Sequence, residues 1–142
     1  MTPLKTVLAL DVGSKRVGVA IANLTVRLAK PLTTLDATAP SLIDTLENLI
    51  HEYSVAQIVV GWPRGLSGDS TPQTKTVEQF VQFLKTHIDI PIDMQDEALT
   101  SKRAEEELSG KGKSYQPGDI DALAATYILD DWLVEHQKVL RT

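Results

Sequence analysis

The alternation of apolar and polar positions divides the chain into short segments. Apolar runs bounded by glycine, proline or charged residues are typical of buried strands, whereas apolar residues at intervals of three and four are typical of helices. We predict strands at 5–12, 16–22, 56–61 and 90–95, a further strand within 26–35, and helices at 40–53, 73–87, 100–109 and 117–136. The glycine- and proline-rich segment 62–72 and the segment 110–116 are predicted loops.

This order of elements predicts an α/β protein. A leading pair of strands followed by alternating helices and strands favours a mixed sheet with helices on its faces. The first two strands are close enough in sequence to form a hairpin, in which Gly18 would permit a close approach of backbone. Pro31 interrupts the third strand. A chain of 142 residues has the usual size of one domain and is long enough to bury a hydrophobic core.

Carboxylates follow the apolar runs at two predicted strand ends, Asp11 at one and Asp96 with Glu97 at the other. Ligand sites in open α/β sheets lie outside the carboxyl ends of the strands. Residues 96 and 97 should point in different directions, so we expect only one of them to enter a site. Both positions have a plainer interpretation, since Asp11 could cap the turn at Gly13 and the Asp-Glu pair could be an ordinary charged loop.

A third carboxylate, Asp121, lies near the start of the last predicted helix. The residues expected to form the buried face of that helix are Ile120, Leu123, Ala124, Tyr127 and Ile128. Asp121 flanks this face, and Ala125 lies one turn further on, so that small side chains would let the helix approach the sheet closely. An acid in the first turn also stabilises a helix N-terminus, but Asp119 serves that purpose better.

Three converging carboxylates repel one another unless a cation neutralises them. The chain has no cysteine, which excludes thiolate ligands, and its three histidines form no ligand motif. We therefore predict a carboxylate site for a hard ion, Mg²⁺ or Mn²⁺. Two such ions would activate the attacking water and stabilise the leaving oxygen in phosphoryl transfer, with Asp11 as the bridging ligand.

The net charge of −5 by itself argues against a nucleic-acid binder, because phosphate contacts come from a basic surface. The distribution of charge matters more than the sum. Lys15 and Arg16 follow Asp11, and Lys102 and Arg103 follow Glu97, so a basic rim around an acidic centre is compatible with the sequence. No apolar run approaches the roughly 20 residues of a membrane helix, and the N-terminus lacks the pattern of a signal peptide. We expect a cytoplasmic protein without a membrane partner.

Four segments, in order, resemble the YqgF/RuvX family over nearly the whole chain: LALDVGSKRVGVA, VVGWPRGLSGDSTPQT, DEALTS and DIDALAATYIL. Members of this family are described as candidate pre-16S rRNA nucleases or candidate Holliday junction resolvases. The resemblance implies an RNase H-like fold with a five-stranded mixed sheet, forming one nuclease domain over 1–142. It also implies that Asp11, Glu97 and Asp121 match the acidic positions of the family and serve as its catalytic metal ligands.

The resemblance further implies an endonuclease that matures the 5′ end of pre-16S rRNA, with that RNA or a ribosomal particle as partner. A Holliday junction resolvase acting on four-way DNA is the close alternative and would require a symmetric dimer, so both monomer and homodimer are open. A non-catalytic RNA-binding or transcription-associated module is a further alternative. The first motif also resembles the phosphate loop of actin-like kinases. Those kinases close two domains around ATP, whereas a chain of 142 residues supplies only one domain.

Four basic side chains are the expected contacts to substrate phosphates: Lys15, Arg16, Arg64 and Lys102. Further matches to the family are Gly61, Pro63, Gly68 and Pro72. These residues are expected to shape the substrate groove, the alternative being that they serve only as turn residues. Thr100 and Ser101 also match the family, but helix capping explains them as well. One departure is Ala98, because the family commonly has an arginine after the glutamate. Trp62 is expected to cover the edge of the core, the alternative being that it stacks on a base.

Overall fold

The computed structural model describes residues 5–63, 72–97, 106–107 and 117–136. Its strands are β1 (Thr6–Val12), β2 (Arg16–Asn23), β3 (Lys30–Asp36), β4 (Val55–Pro63) and β5 (Ile92–Glu97), and its helices are α1 (Leu42–Glu52), α2 (Pro72–His87) and α3 (Pro117–Glu135). The strands form one sheet in the order β3-β2-β1-β4-β5. Antiparallel pairing joins β3, β2 and β1, and parallel pairing joins β1, β4 and β5. The predicted five-stranded mixed sheet is confirmed.

The observed elements differ from the predictions mainly at their ends. Pro31 lies inside β3, where it faces Ala20 beside an irregularity in the pairing. An edge strand tolerates a proline because one row of its backbone groups has no strand partner. Strand β5 begins after Pro91 and extends through Glu97, so both acidic residues are the last two positions of the strand. Of the predicted helix 100–109, only Glu106 and Glu107 lie within the described residues, and both are helical.

Side chains of the central strands alternate between two hydrophobic clusters, one on each face of the sheet. Leu8 and Leu10 of β1 belong to the cluster covered by α1 and α2. Val7 and Ala9 of the same strand belong to the cluster covered by α3. This alternation follows from the two-residue repeat of a strand. It places Asp11 on the α3 face, since position 11 shares the pleat of positions 7 and 9.

Helix α3 lies unusually close to β2. A Cβ atom at Gly18 would overlap the backbone carbonyl of Asp121 and would lie 2.8 Å from the backbone nitrogen of Ala122. The α3 face of the sheet is lined with alanines next to this contact, at Ala9, Ala20 and Ala22. The close approach expected from the small residues is therefore confirmed.

The buried face of α3 differs in part from the predicted one. The residues of α3 that pack in the cluster are Ala125, Ile128, Leu129, Trp132 and Leu133. Ala124 and Ile128 are buried as predicted, whereas Ile120, Leu123 and Tyr127 are only half-buried. Because the helix is apolar on most of its circumference, its periodicity does not specify which side meets the sheet. In the described residues, no helix is long and apolar enough to cross a membrane.

Candidate active site

Asp11 and Asp121 lie on either side of Gly18. Asp11 pairs directly with Gly18 across the β1–β2 ladder, and the residue is only 9% exposed. Asp121 lies near the start of α3, and its backbone packs so closely against Gly18 that no side chain fits at position 18. The β1–β2 hairpin and the packing of α3 thus bring two predicted site residues, 110 positions apart in sequence, to one place on the sheet.

Arg16 forms an ion pair with Asp121. Its Nε donates to the Oδ2 atom of Asp121 at 2.6 Å, and the two side chains are 43% and 21% exposed respectively. Arg16 is the first residue of β2, and the close packing at Gly18 brings the start of α3 within its reach. Both residues are expected at the site from the sequence, but no sequence pattern predicts that they pair with each other.

The carboxylate of Asp36 lies near Arg16 in the sheet but accepts its hydrogen bonds from Thr38. Asp36 faces Arg16 across the β2–β3 ladder, yet its Oδ1 accepts hydrogen bonds from the hydroxyl and backbone N–H of Thr38 at 2.7 and 2.9 Å. The hydroxyl of Thr38, and then its backbone N–H, hold the pKa of Asp36 below its usual range. Asp36 therefore stays ionised at neutral pH and has its own hydrogen-bond donors.

Glu97 and Asp96 end β5 in positions of opposite pleat. Asp96 faces Trp62 and Glu97 faces Pro63 in the parallel register with β4. Position 97 shares the pleat of Asp93, whose Oδ2 accepts a hydrogen bond from Trp132 of α3. Position 96 has the opposite pleat. The side chain of Glu97 lies outside the described part of the structure.

A groove of about 410 Å³ opens beside Asp121. One wall is the turn between β1 and β2, with Ser14, Lys15 and Arg16, and the other wall is the start of α2. Asp121 also lines the groove, so the candidate site opens directly into it. Of the predicted substrate contacts, Lys15 and Arg16 line this groove, whereas Arg64 and Lys102 lie outside the described residues.

The donor set suits a hard divalent cation. Asp11 and Asp121 offer only carboxylate oxygens, the ligands that Mg²⁺ and Mn²⁺ prefer. A cation already accompanies Asp121 in the form of Arg16, which shows that positive charge is favourable at this position. Among the described side chains, which do not include that of Glu97, no three acidic or histidine groups are close enough to hold a metal. Asp11 and Asp121 are therefore the two described candidates for ligands.

Gln73, Thr76 and Gln95 have no functional signal in the sequence, whereas Pro72 is one of the residues expected to shape the groove. Gln73 and Thr76 line the groove from the first turns of α2, together with Pro72. Gln95 is buried on the α3 face of β5, with only 4% of its surface exposed. Trp62 packs against the core, in agreement with the interpretation that it covers the core edge. Gly68, Ala98, Thr100 and Ser101 lie outside the described residues.

The sheet order and the strand directions are those of the RNase H-like fold. The solved structure of RuvC from Thermus thermophilus has a similar fold, with a TM-score of 0.54 at 13% identity, covering 93% of this chain and 96% of that one. The same protein in complex with a Holliday junction substrate aligns with a TM-score of 0.52 at 13% identity, covering 92% of this chain and 95% of that one.

Residues 5–135 match the family described as RuvX: Holliday junction resolvase, and the chain belongs to this family. A relative from Roseiflexus is 44% identical, covering 89% of this chain and 92% of its own length. A second, from Crocosphaera subtropica, is 40% identical, covering 94% of this chain and 95% of its own length. Both carry the name of candidate pre-16S rRNA nucleases.

Proposed function

We propose that this protein is a metal-dependent endonuclease that hydrolyses nucleic-acid phosphodiesters, and that its substrate is the 5′ end of pre-16S rRNA. The observation that carries the proposal is the meeting of Asp11 and Asp121 at Gly18, beside a groove lined by Lys15 and Arg16. Membership of the RuvX family and the nuclease name of the relatives support it.

Asp11, Glu97 and Asp121 would hold Mg²⁺ or Mn²⁺ and thereby act as the catalytic residues. When bound, the ion would polarise the phosphoryl group and make the attacking water more acidic. The burial of Asp11 strengthens its attraction for a cation, because a buried carboxylate is poorly solvated by water. The contact with Gly18 fixes the backbone of Asp121, so that the carboxylate starts from a defined position before the ion arrives.

Lys15 and Arg16 would contact the phosphates on either side of the scissile bond, and Arg64 and Lys102 would extend this basic rim. The groove accommodates a polyanion next to acidic residues because its lysine and arginine offset their charge. A local basic surface of this kind is compatible with the net charge of −5. We place the enzyme in the cytoplasm, with the precursor RNA free or within a ribosomal particle.

Cleavage of four-way DNA junctions is the second candidate, favoured by the description of the family. A junction has two equivalent strands to cut, so a resolvase acts as a symmetric dimer with two sites. An RNA 5′ end requires only one site, which a monomer supplies. The mass of the protein in solution, with and without each nucleic acid, therefore separates the two candidates independently of catalysis.

A cleavage assay with Mg²⁺ or Mn²⁺ tests the proposal on a 5′-extended 16S precursor fragment and on a four-way DNA junction. Wild type should cut the RNA, and Asp11→Asn should reduce the rate at least about a hundredfold, because it removes a charged ligand without changing the shape of the side chain. Cutting of the junction without cutting of the RNA would make junction cleavage the better-supported function. Failure of the folded wild type to cut either substrate would favour the non-catalytic RNA-binding module.

The adjacent carboxylates of β5 provide a matched control. Glu97→Gln should abolish cleavage, whereas Asp96→Asn, on the opposite pleat, should retain the wild-type rate. Both changes remove one negative charge at nearly the same place, so a general effect of charge would slow both variants equally. Loss of activity only in Asp96→Asn would show that the assignment of these two residues is reversed.

A further inference from the structure

Arg16 occupies the position at which a divalent cation would neutralise Asp121. Its Nε lies 2.6 Å from Oδ2 of Asp121, the same carboxylate that the proposed function assigns to the metal. A guanidinium and a divalent ion that share one carboxylate repel each other. The contact seen in the structure therefore competes with metal binding unless Arg16 moves.

The surroundings allow Arg16 to move but restrain Asp121. The backbone of Asp121 is packed against Gly18, and Thr34 fixes the start of the same helix by donating to the carbonyl oxygen of Gly118 at 2.7 Å. Arg16 in contrast is 43% exposed and lies on the wall of the groove. Asp36, its neighbour in the β2–β3 ladder, is bonded to Thr38.

We propose that Arg16 is a positioning residue that takes the place of the metal ion: it neutralises Asp121 in the metal-free protein and is displaced into the groove when a divalent ion binds. Asp11 lies next to the same glycine, so that an unpaired Asp121 would place a second negative charge in a partly buried setting. Arg16 relieves this repulsion before the metal arrives. Once displaced, the guanidinium is available to a substrate phosphate. This inference rests on the proposed function.

Titration of the RNA-free protein with Mn²⁺, with free Mn²⁺ followed by electron paramagnetic resonance, tests the inference without any cleavage. Arg16→Gln removes the competing charge and should bind Mn²⁺ about twofold to fivefold more tightly than wild type, the range expected for a half-exposed ion pair. Arg16→Lys should lie between them. Lys15→Gln is the matched control, because it removes a groove cation next in sequence, and its effect should be smaller than that of Arg16→Gln.

The melting temperature in the presence of a chelator gives a second reading. Arg16→Gln should melt below wild type in chelator, because Asp121 is then unpaired beside Asp11, and saturating Mn²⁺ should remove the difference. Equal Mn²⁺ affinities for Arg16→Gln and Lys15→Gln would overturn the inference. Weaker binding by Arg16→Gln would also overturn it, since Arg16 would then hold Asp121 in place for the metal.

Failure of the proposed function would give a different result from failure of this inference. If the metal site itself is misassigned, wild type and Asp121→Asn will bind Mn²⁺ equally, and both proposals fall. If only the role of Arg16 is wrong, Asp121→Asn and Asp11→Asn will still weaken Mn²⁺ binding, and the changes at Arg16 will leave the affinity unchanged or lower it.

Discussion

At the scale of single residues, Gly18 determines the geometry of the candidate site. It lies on β2 opposite Asp11, and its missing side chain leaves the space that the backbone of Asp121 occupies. No other amino acid can fill this position without moving α3, because the overlapping atoms belong to backbone rather than to a flexible side chain. A residue with no chemistry of its own therefore controls the distance between two candidate ligands.

We predict that Gly18→Ala lowers the free energy of unfolding by about 1–3 kcal/mol or more, since the added methyl group forces helix and sheet apart. It should also weaken Mn²⁺ binding, because Asp121 moves away from Asp11. Urea denaturation and Mn²⁺ titration measure the two effects.

Gly118→Ala is the control for that substitution. A Cβ atom at Gly118 would lie 3.3 Å from the hydroxyl oxygen of Thr34, a contact that a small shift can relieve. The stability of this variant should therefore change by less than half as much. Wild-type stability and wild-type Mn²⁺ affinity in Gly18→Ala would show that Gly18 does not set the position of Asp121.

At the scale of elements, α3 is attached to the sheet at both ends. Near its start, Thr34 of β3 donates to the carbonyl oxygen of Gly118. Near its end, Nη2 of Arg27 donates to the carbonyl oxygen of Leu133 at 2.5 Å, and Nε1 of Trp132 donates to Oδ2 of Asp93 at 2.8 Å. The ring of Trp132 also stacks on that of His136 with centroids 4.4 Å apart. These contacts keep the start of the helix, and with it Asp121, over the strand ends.

We predict that Trp132→Phe destabilises the protein by about 1–3 kcal/mol, because it removes a hydrogen bond to a carboxylate and part of a buried ring. A double-mutant cycle with Asp93→Ala should give a coupling energy of about 1 kcal/mol in urea denaturation. Strictly additive effects would show that the hydrogen bond contributes nothing. Cleavage well below the melting temperature should be retained, since this cluster is at the opposite end of α3 from Asp121.

At the scale of the whole molecule, the distribution of charge matters more than its sum. The chain has a net charge of −5, yet Lys15 and Arg16 face one groove beside the acidic residues. Binding of RNA to such a surface releases counterions in proportion to the phosphates contacted, whatever the net charge elsewhere. The salt dependence of RNA affinity therefore reports which lysines belong to the binding surface.

We predict that Lys15→Ala weakens the binding of a short RNA and lowers the slope of log affinity against log salt by about 0.7–1, the value for one lost phosphate contact. Fluorescence anisotropy in the presence of a chelator measures this without cleavage. Lys5→Ala is the control, because Lys5 is an exposed lysine that precedes β1 at the other end of the strand. Equal slopes for Lys15→Ala and wild type would remove Lys15 from the binding surface.

The local pattern of side chains is sufficient to predict most of the architecture. Strands and helices follow from the spacing of apolar residues, and the mixed sheet follows from their order, because these signals involve neighbours in sequence. Carboxylates at strand ends likewise pointed to Asp11 and to the pair at 96 and 97. The edge position of β3, which lets Pro31 lie inside a strand, was not visible locally, since it depends on which strands pair.

The pairing of Arg16 with Asp121, the groove shared by β2 and α2, and the side of α3 that meets the sheet required the folded chain. Arg16 and Asp121 are 105 positions apart, and no periodicity links residues at such a separation. Helix α3 is apolar on most sides, so its orientation follows from fitting small residues against Gly18 and the alanines of the sheet rather than from its own pattern. Local preference selects the elements, whereas the packing of backbone against backbone sets the position of Asp121 relative to Asp11 and Arg16.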